Sequence, residues 1–178
     1  MSGRAAEPPV PIRRATRADA DAIAAVLAEA FQAFEPRYTP AAFRATTPSP
    51  EVVRARFDEG PVWVAEADRV IGTVAAVHRP RGVYIRSMAV RPDARGRGLG
   101  TRLLRAVEED AARHACDRLY LSTTPFLDAA IALYERAGYR RTDAPPHDLL
   151  GTPLVTMEKR LGRDAGARRP GNRSPGQG

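Results

Sequence analysis

The chain has 178 residues, 43% of them apolar, and a formal net charge of +7. That length suits one domain with a sizeable core and is short for two, and no apolar run approaches the roughly 20 residues that cross a bilayer. The single cysteine, Cys116, rules out an intrachain disulfide, and the basic excess is spread along the chain, partly in the tail, with no basic-and-aromatic module, so nucleic acid is not the expected partner.

Residues 1–9, broken by Gly3, Pro8 and Pro9, are expected to be disordered, and the absence of a hydrophobic signal core there points to the cytoplasm. Val10 to Arg14 reads as a first strand. Thr16 and Asp19 resemble a capping box, after which Ile23, Val26, Leu27, Ala30, Phe31 and Phe34 recur on one helix face. The prolines at 36, 40, 48 and 50 predict a loop with one broken helical turn, and Glu51 to Phe57 a short helix. Pro61–Glu66 and Val70–His78 are strands joined by a turn at Ala67–Arg69, and Val83–Val90 is the central strand. Leu99, Leu103, Val107 and Ala111 then mark a long amphipathic helix. Beyond it come a strand over Asp117–Ser122, a helix over Asp128–Ala137 capped by Gly138, a strand at Tyr139–Thr142, a Pro-rich loop over Ala144–Pro153 and a last strand over Leu154–Leu161. The expectation is therefore an α/β domain over 10–161, a mixed sheet with helices on both faces, followed by a flexible basic tail over 162–178.

The most informative stretch is the start of the long helix. Pro92 ends the central strand, and Arg95, Gly96, Arg97, Gly98, Leu99, Gly100 and Thr101 lead into the helix. The first turn of a helix presents unpaired N–H groups and the positive end of the dipole, so glycines and arginines there form an anion seat, and a pyrophosphate is the expected ligand. The Gly-Lys-Ser/Thr ending of a P-loop is missing, and so are the third glycine and downstream acid of a dinucleotide fingerprint.

Met88-Ala89-Val90-Arg91-Pro92-Asp93-Ala94-Arg95-Gly96-Arg97-Gly98-Leu99-Gly100-Thr101 resembles the acetyl-CoA signature of the GCN5-related N-acetyltransferases (GNAT). Ala130-Ile131-Ala132-Leu133-Tyr134-Glu135-Arg136-Ala137-Gly138-Tyr139 is similar to a second hallmark of that family, at the usual distance downstream. The resemblance implies a GNAT-like acyl-CoA N-acyltransferase fold with a central, mostly antiparallel sheet. That sheet would be splayed between the strand ending at Val90 and the strand ending at Ser122, admitting pantetheine. It implies acetyl-CoA as cosubstrate, bound by the backbone of Met88, Ala89 and Val90 and by the loop Arg95–Thr101, and an amine acceptor acetylated directly in a ternary complex. A homodimer is left open.

By its place in the second motif, Tyr134 is expected to be the general acid for the leaving thiolate. The glutamate that many relatives carry on the central strand is missing, so Glu66 acting through water is the expected general base, with His78 as second candidate. Leu127 replaces the asparagine that often opens the second motif, and Thr123 and Thr124 are candidates to compensate. Cys116 is expected to pack rather than to carry an acyl group. His78, His114 and His147 lack metal-ligand spacing, so no metal is expected. The alternative, prompted by the missing glutamate, is an acyl-CoA-sensing or protein-binding module without catalysis. The acceptor is not readable, because the segments expected to set it, Glu35–Pro50 and Ala144–Pro153, carry no motif.

Overall fold

The computed structural model describes residues 9–162; apart from Pro9 and Gly162, the expected disordered segment 1–9 and basic tail 162–178 lie outside those residues. In chain order the elements are β1 (Ile12–Arg14), α1 (Ala20–Phe31), α2 (Pro40–Thr46), α3 (Pro50–Arg56), β2 (Val62–Glu66), β3 (Val70–Arg79) and β4 (Gly82–Val90), then α4 (Leu99–Arg113), β5 (Arg118–Thr123), α5 (Asp128–Arg136), β6 (Arg140–Arg141), β7 (His147–Leu149) and β8 (Thr152–Arg160). The strands lie in the order β1-β2-β3-β4-β5-β8-β6, with β7 against β8. Among the described residues every pairing is antiparallel except β4 with β5. No described helix is long and apolar enough to cross a membrane.

The expected two-faced sheet is present, and alternation along β2 shows it. Val62 and Val64 belong to the core built with Ile23, Val26 and Leu27 of α1 and Val53 of α3. Trp63 and Ala65 belong to the opposite core with Leu103, Leu104 and Val107 of α4. The capping box also forms, at the single 3-10 turn Arg17–Asp19 that leads into α1, the Thr16 N–H donating to the Asp19 carboxylate at 2.8 Å. In β4 the alternation is reversed midway. Thr73 pairs with Ala89 and Ala75 with Arg86, so Ser87 and Met88 stand opposite the single Val74. Ser87 takes up the extra residue at φ +53°, which makes this a β-bulge. Val83 and Ile85 consequently face the α4 core while Ala89, of the same parity, faces α1.

Two expectations are corrected in the variable segments. Residues 40–46 form a helix and not a broken turn, because Thr39 accepts from the Ala42 N–H and Pro40 occupies the first helical position. The Pro-rich loop contains β7, which folds back on β8 through Leu150 and Gly151 at φ +48° and +90°. The two segments dock on each other. The Thr39 hydroxyl donates to the Leu150 carbonyl at 2.7 Å and the Thr39 N–H to the Thr152 hydroxyl at 3.0 Å.

Candidate active site

β4 and β5 pair only at Val83–Leu119 and Tyr84–Tyr120, whereas β5 continues in register with β8 as far as Thr123. The sheet therefore opens from Ile85 onward, as expected, and a cleft of about 590 Å³ occupies the gap. Met88, Ala89 and Val90 form one wall, and Tyr134, Leu133 and Leu127 of the α5 region form another. At one end lie Arg95, Gly96, Gly98, Leu99, Gly100 and Thr101. Of the expected loop residues only Arg97 is not part of the lining; it is exposed. Thr123 and Thr124 also face the cleft.

The loop is built for an anion. Gly96 and Gly98 adopt φ +75° and +70°, and a Cβ at either would meet nothing within 4 Å, so glycine is needed there for backbone conformation and not for space. Gly98 is the N-cap of α4, no side chain caps that end, and no acidic residue sits in the first turn. The Leu99, Gly100 and Thr101 amides thus face the cleft end with the helix dipole uncompensated. The Arg95 guanidinium is held beside them by the Ala30 carbonyl at 3.0 Å. Arg91, by contrast, is structural, buried and bonded to Glu29 and to the Val70 carbonyl. Gly100 has a different reason from its neighbours: a Cβ there would lie 2.7 Å from Leu133 Cδ2 and 3.4 Å from Met88 Cε. Glycine at 100 therefore serves the close approach of the Leu133 and Met88 side chains to the start of α4.

Tyr134 is buried in the cleft wall, its ring 6.0 Å from that of Tyr139. Burial first, and then the nearby Tyr84 phenol, push its pKa above the ordinary tyrosine value. The phenol is therefore fully protonated at neutral pH. Gly138, at φ +94°, ends α5 as expected, and the Tyr139 N–H donates to the Tyr134 carbonyl at 2.9 Å.

The two expected bases are not in the cleft. Glu66 lies at the far end of β2, outside the lining, with its carboxylate 2.5 Å from Arg13 Nε. That hydrogen bond holds its pKa below the ordinary glutamate value. The expectation of Glu66 as base is corrected, since Arg13, fixed by Asp19, draws it toward β1. His78 is also outside the lining, its Nε2 3.0 Å from Asp110 Oδ2 on α4. His114 joins it, the rings 4.8 Å apart. Ligand atoms of His78, Asp110 and His114 all lie within 4.8 Å of one another, a grouping that sequence spacing did not reveal. Arg14 and Arg113 approach the same carboxylate at 3.6 and 3.4 Å, so it already has two cationic partners. Cys116 packs against the core, as expected.

Sequence reasoning placed Tyr38, within Glu35–Pro50, in the segment expected to set the acceptor, but missed Phe31, Phe34, Arg56, Tyr84 and Arg86, which line the cleft with it. Phe126 braces Tyr38 and Phe34 with ring centroids at 5.0 and 6.3 Å. Among the described residues the lining contains no aspartate, glutamate or histidine. The signal for Arg86 was present, a charged side chain in the middle of an otherwise apolar central strand.

A sheet parted beside an uncapped, glycine-turned helix start, with a neutral phenol in the same cleft, defines the class of acyl-CoA-using acyltransferases. The chain belongs to the GNAT acetyltransferase family, whose model matches residues 21–139. The chain is 36% identical over 102 residues to N-acetylaspartate synthetase of Rattus norvegicus and of Homo sapiens, a match covering 56% of this chain and 34% of each of those proteins. It thus spans about a third of the length of the curated relatives it matches. Among solved structures, ribosomal-protein-alanine N-acetyltransferase from Brucella melitensis superposes with TM-score 0.67 at 28% identity, covering 85% of this chain and 99% of that one. yncA from Salmonella typhimurium, solved with acetyl-CoA, gives TM-score 0.67 at 25% identity over 87% of this chain and 95% of that one. PaiA N-acetyltransferase from Thermoplasma acidophilum, solved with coenzyme A, shares the fold at TM-score 0.71 and 16% identity, over 85% of this chain and 98% of that one.

Proposed function

We propose that this protein transfers the acetyl group of acetyl-CoA to a primary amine by direct attack in a ternary complex. The observation that carries the reading is the convergence of three groups on one cleft: the α4 amides, the β4 edge left unpaired by β5, and the Tyr134 phenol. The residues present fit the cosubstrate, because Gly96, Gly98 and the first-turn amides offer an unobstructed anion seat and Arg95 adds charge. The similar structure of yncA, solved with acetyl-CoA, adds support.

The amine nitrogen attacks the thioester carbon, a C–N bond forms, and the C–S bond breaks as the tetrahedral oxyanion collapses. A backbone N–H at the Ser87–Met88 bulge, free of regular pairing with β3, is suited to stabilise that oxyanion, a contribution typically of about 2.7–4 kcal/mol. Tyr134 meets the leaving sulfur. A thiol has a pKa of about 8.5 and an ordinary phenol one of about 10, so a phenol raised further gives up its proton to a thiolate only uphill. Its part is then to hold the thiolate with a strong hydrogen bond as charge develops.

Among the described residues no carboxylate or imidazole lines the cleft to take the amine proton. The cations Arg56 and Arg86, together with desolvation, disfavour an ammonium in the site, so the acceptor enters as the free amine and its proton leaves to water. The same lining favours one second reading, a module that binds acyl-CoA without turning it over. The test is thiol release from acetyl-CoA with a panel of primary amines, with mass spectrometry of the products. Bound acetyl-CoA, measured by calorimetry, with no thiol above background for any amine would replace transfer by the module. The relatives' names, one for aspartate and one for a ribosomal-protein alanine, differ in acceptor.

A further inference from the structure

Resting on the transfer reading above, we infer that the acceptor is a small amine bearing a carboxylate, and that Arg86, supported by Arg56, is the residue that selects it. Arg86 Nη1 donates to Glu59 at 3.0 Å. Its Nε and Nη2, however, are shut off from water and have no hydrogen-bond partner. Nε–H and Nη2–H project along one edge of the guanidinium, the edge that grips both oxygens of a carboxylate side-on. Buried charged donors without partners are costly, so an anion bound in the cleft that Arg86 lines favours a rotation of the side chain that brings this edge to it.

The surroundings specify what that partner is. Arg86 lies on β4 just before the bulge and lines the same cleft as Met88 and Tyr134. Arg56, at the end of α3, approaches from the other side, its Nη1 donating to Ser87 Oγ at 3.2 Å and its Nη2 to the Ala45 carbonyl at 3.4 Å. Burial and then the Arg86 charge hold the Arg56 pKa below the ordinary arginine value. The two guanidiniums therefore lie close enough in the same lining to repel one another. Among the described residues Glu59 is the acidic partner of Arg86, and Glu59 is shared with Arg79, whose Nη2 is 3.9 Å away. With no acidic lining residue, a lysine side chain or polyamine meets only like charge, whereas an anion relieves the repulsion. The phenyl and phenol rings of Phe31, Phe34 and Tyr38 cover the remaining space. Carboxylate binding also helps the chemistry. Once paired with arginine, the carboxylate no longer holds the neighbouring ammonium in its charged form, so the attacking free amine is more populated.

The experiment compares matched acceptors with the full chain: L-phenylalanine, L-aspartate and β-alanine against phenylalaninamide, asparagine amide and β-alaninamide, with phosphoethanolamine as a phosphate arm and spermidine as a cationic one. The expected result is a kcat/KM at least about tenfold higher for carboxylates than for their amides, the scale of a bidentate charged contact. That ratio is expected to collapse toward unity in Arg86→Gln, through KM, with acetyl-CoA affinity unchanged by calorimetry; Arg56→Gln, at a less central position, is expected to lower it in the same direction. Carboxylates and amides reacting alike, phosphoethanolamine or spermidine surpassing every carboxylate, or a preference that survives both variants would overturn the inference and leave transfer standing. No thiol release with any amine, despite bound acetyl-CoA, would bring down both.

Discussion

Gly100, in the first turn of α4, and Leu133 of α5 meet: a Cβ on Gly100 would sit 2.7 Å from Leu133 Cδ2. The contact separates three glycines that look alike in the sequence. Gly100→Ala pushes against the mobile end of a leucine, at a cost of about 1–3 kcal/mol typical of overpacking, while Gly100→Leu fills the cleft between Met88 and Leu133. Gly98→Ala meets no atom but forces a left-handed φ, costing about 1–2 kcal/mol. Calorimetry is expected to show acetyl-CoA binding lost in Gly100→Leu, and Gly98→Asn is expected to retain more affinity than Gly98→Ala, since asparagine tolerates that conformation. Equal affinity in wild type and Gly100→Leu would move the thioester elsewhere.

Tyr134→Phe is expected to lower kcat by about a hundredfold, in the range of one hydrogen-bond donor lost from charge that develops in the transition state, with acetyl-CoA affinity nearly intact because the ring still packs on Tyr139. Because burial raises the Tyr134 pKa above 10, its ionisation does not cut the pH–rate profile of the wild type below about pH 10. Unchanged turnover in the variant would remove Tyr134 from the chemistry.

The sheet and the glycine turn into α4 were legible because each follows from local rules, apolar alternation and glycine before a helix, whereas Tyr134 was reached only through the resemblance of its motif to the family's. Thr39 and Pro40 also announce a helix, but four nearby prolines argued for a loop, and proline at a first helical position was not separated from proline as a breaker. The base was misplaced for another reason. Whether Glu66 points into a cleft depends on Arg13 and Asp19, more than 40 residues earlier in the chain and paired with it only across the sheet edge. Arg86 was visible as an anomaly in an apolar strand, yet the face it takes is set by the bulge at Ser87, which no residue in the strand announces.

Glu66→Gln tests the corrected placement. With the carboxylate on Arg13 and outside the cleft lining, the substitution is expected to leave kcat and KM within about twofold of wild type, as for surface positions away from a site. A drop of a hundredfold or more, with a lost acidic limb in the pH–rate profile, would return Glu66 to the mechanism.

Asp19 gives a pH signature of stability. Hydrogen bonding from Arg13 is the main cause that lowers its pKa from 3.8 to about 2, with Arg13 Nη2 at 2.9 Å. A carboxylate with a depressed folded-state pKa stabilises the fold above its unfolded value and loses that contribution as pH falls through the folded value. The contribution is therefore complete above about pH 4.5 and fades toward about pH 2. Solvent screening of a partly exposed pair limits it to ~1 kcal/mol, worth about 2–4 °C in a domain of this size. Thermal melts of wild type and Asp19→Asn are expected to differ by that amount at pH 6 and to converge as pH approaches 2. A gap that is constant over the whole range would assign the difference to the helix cap alone and not to the ion pair with Arg13.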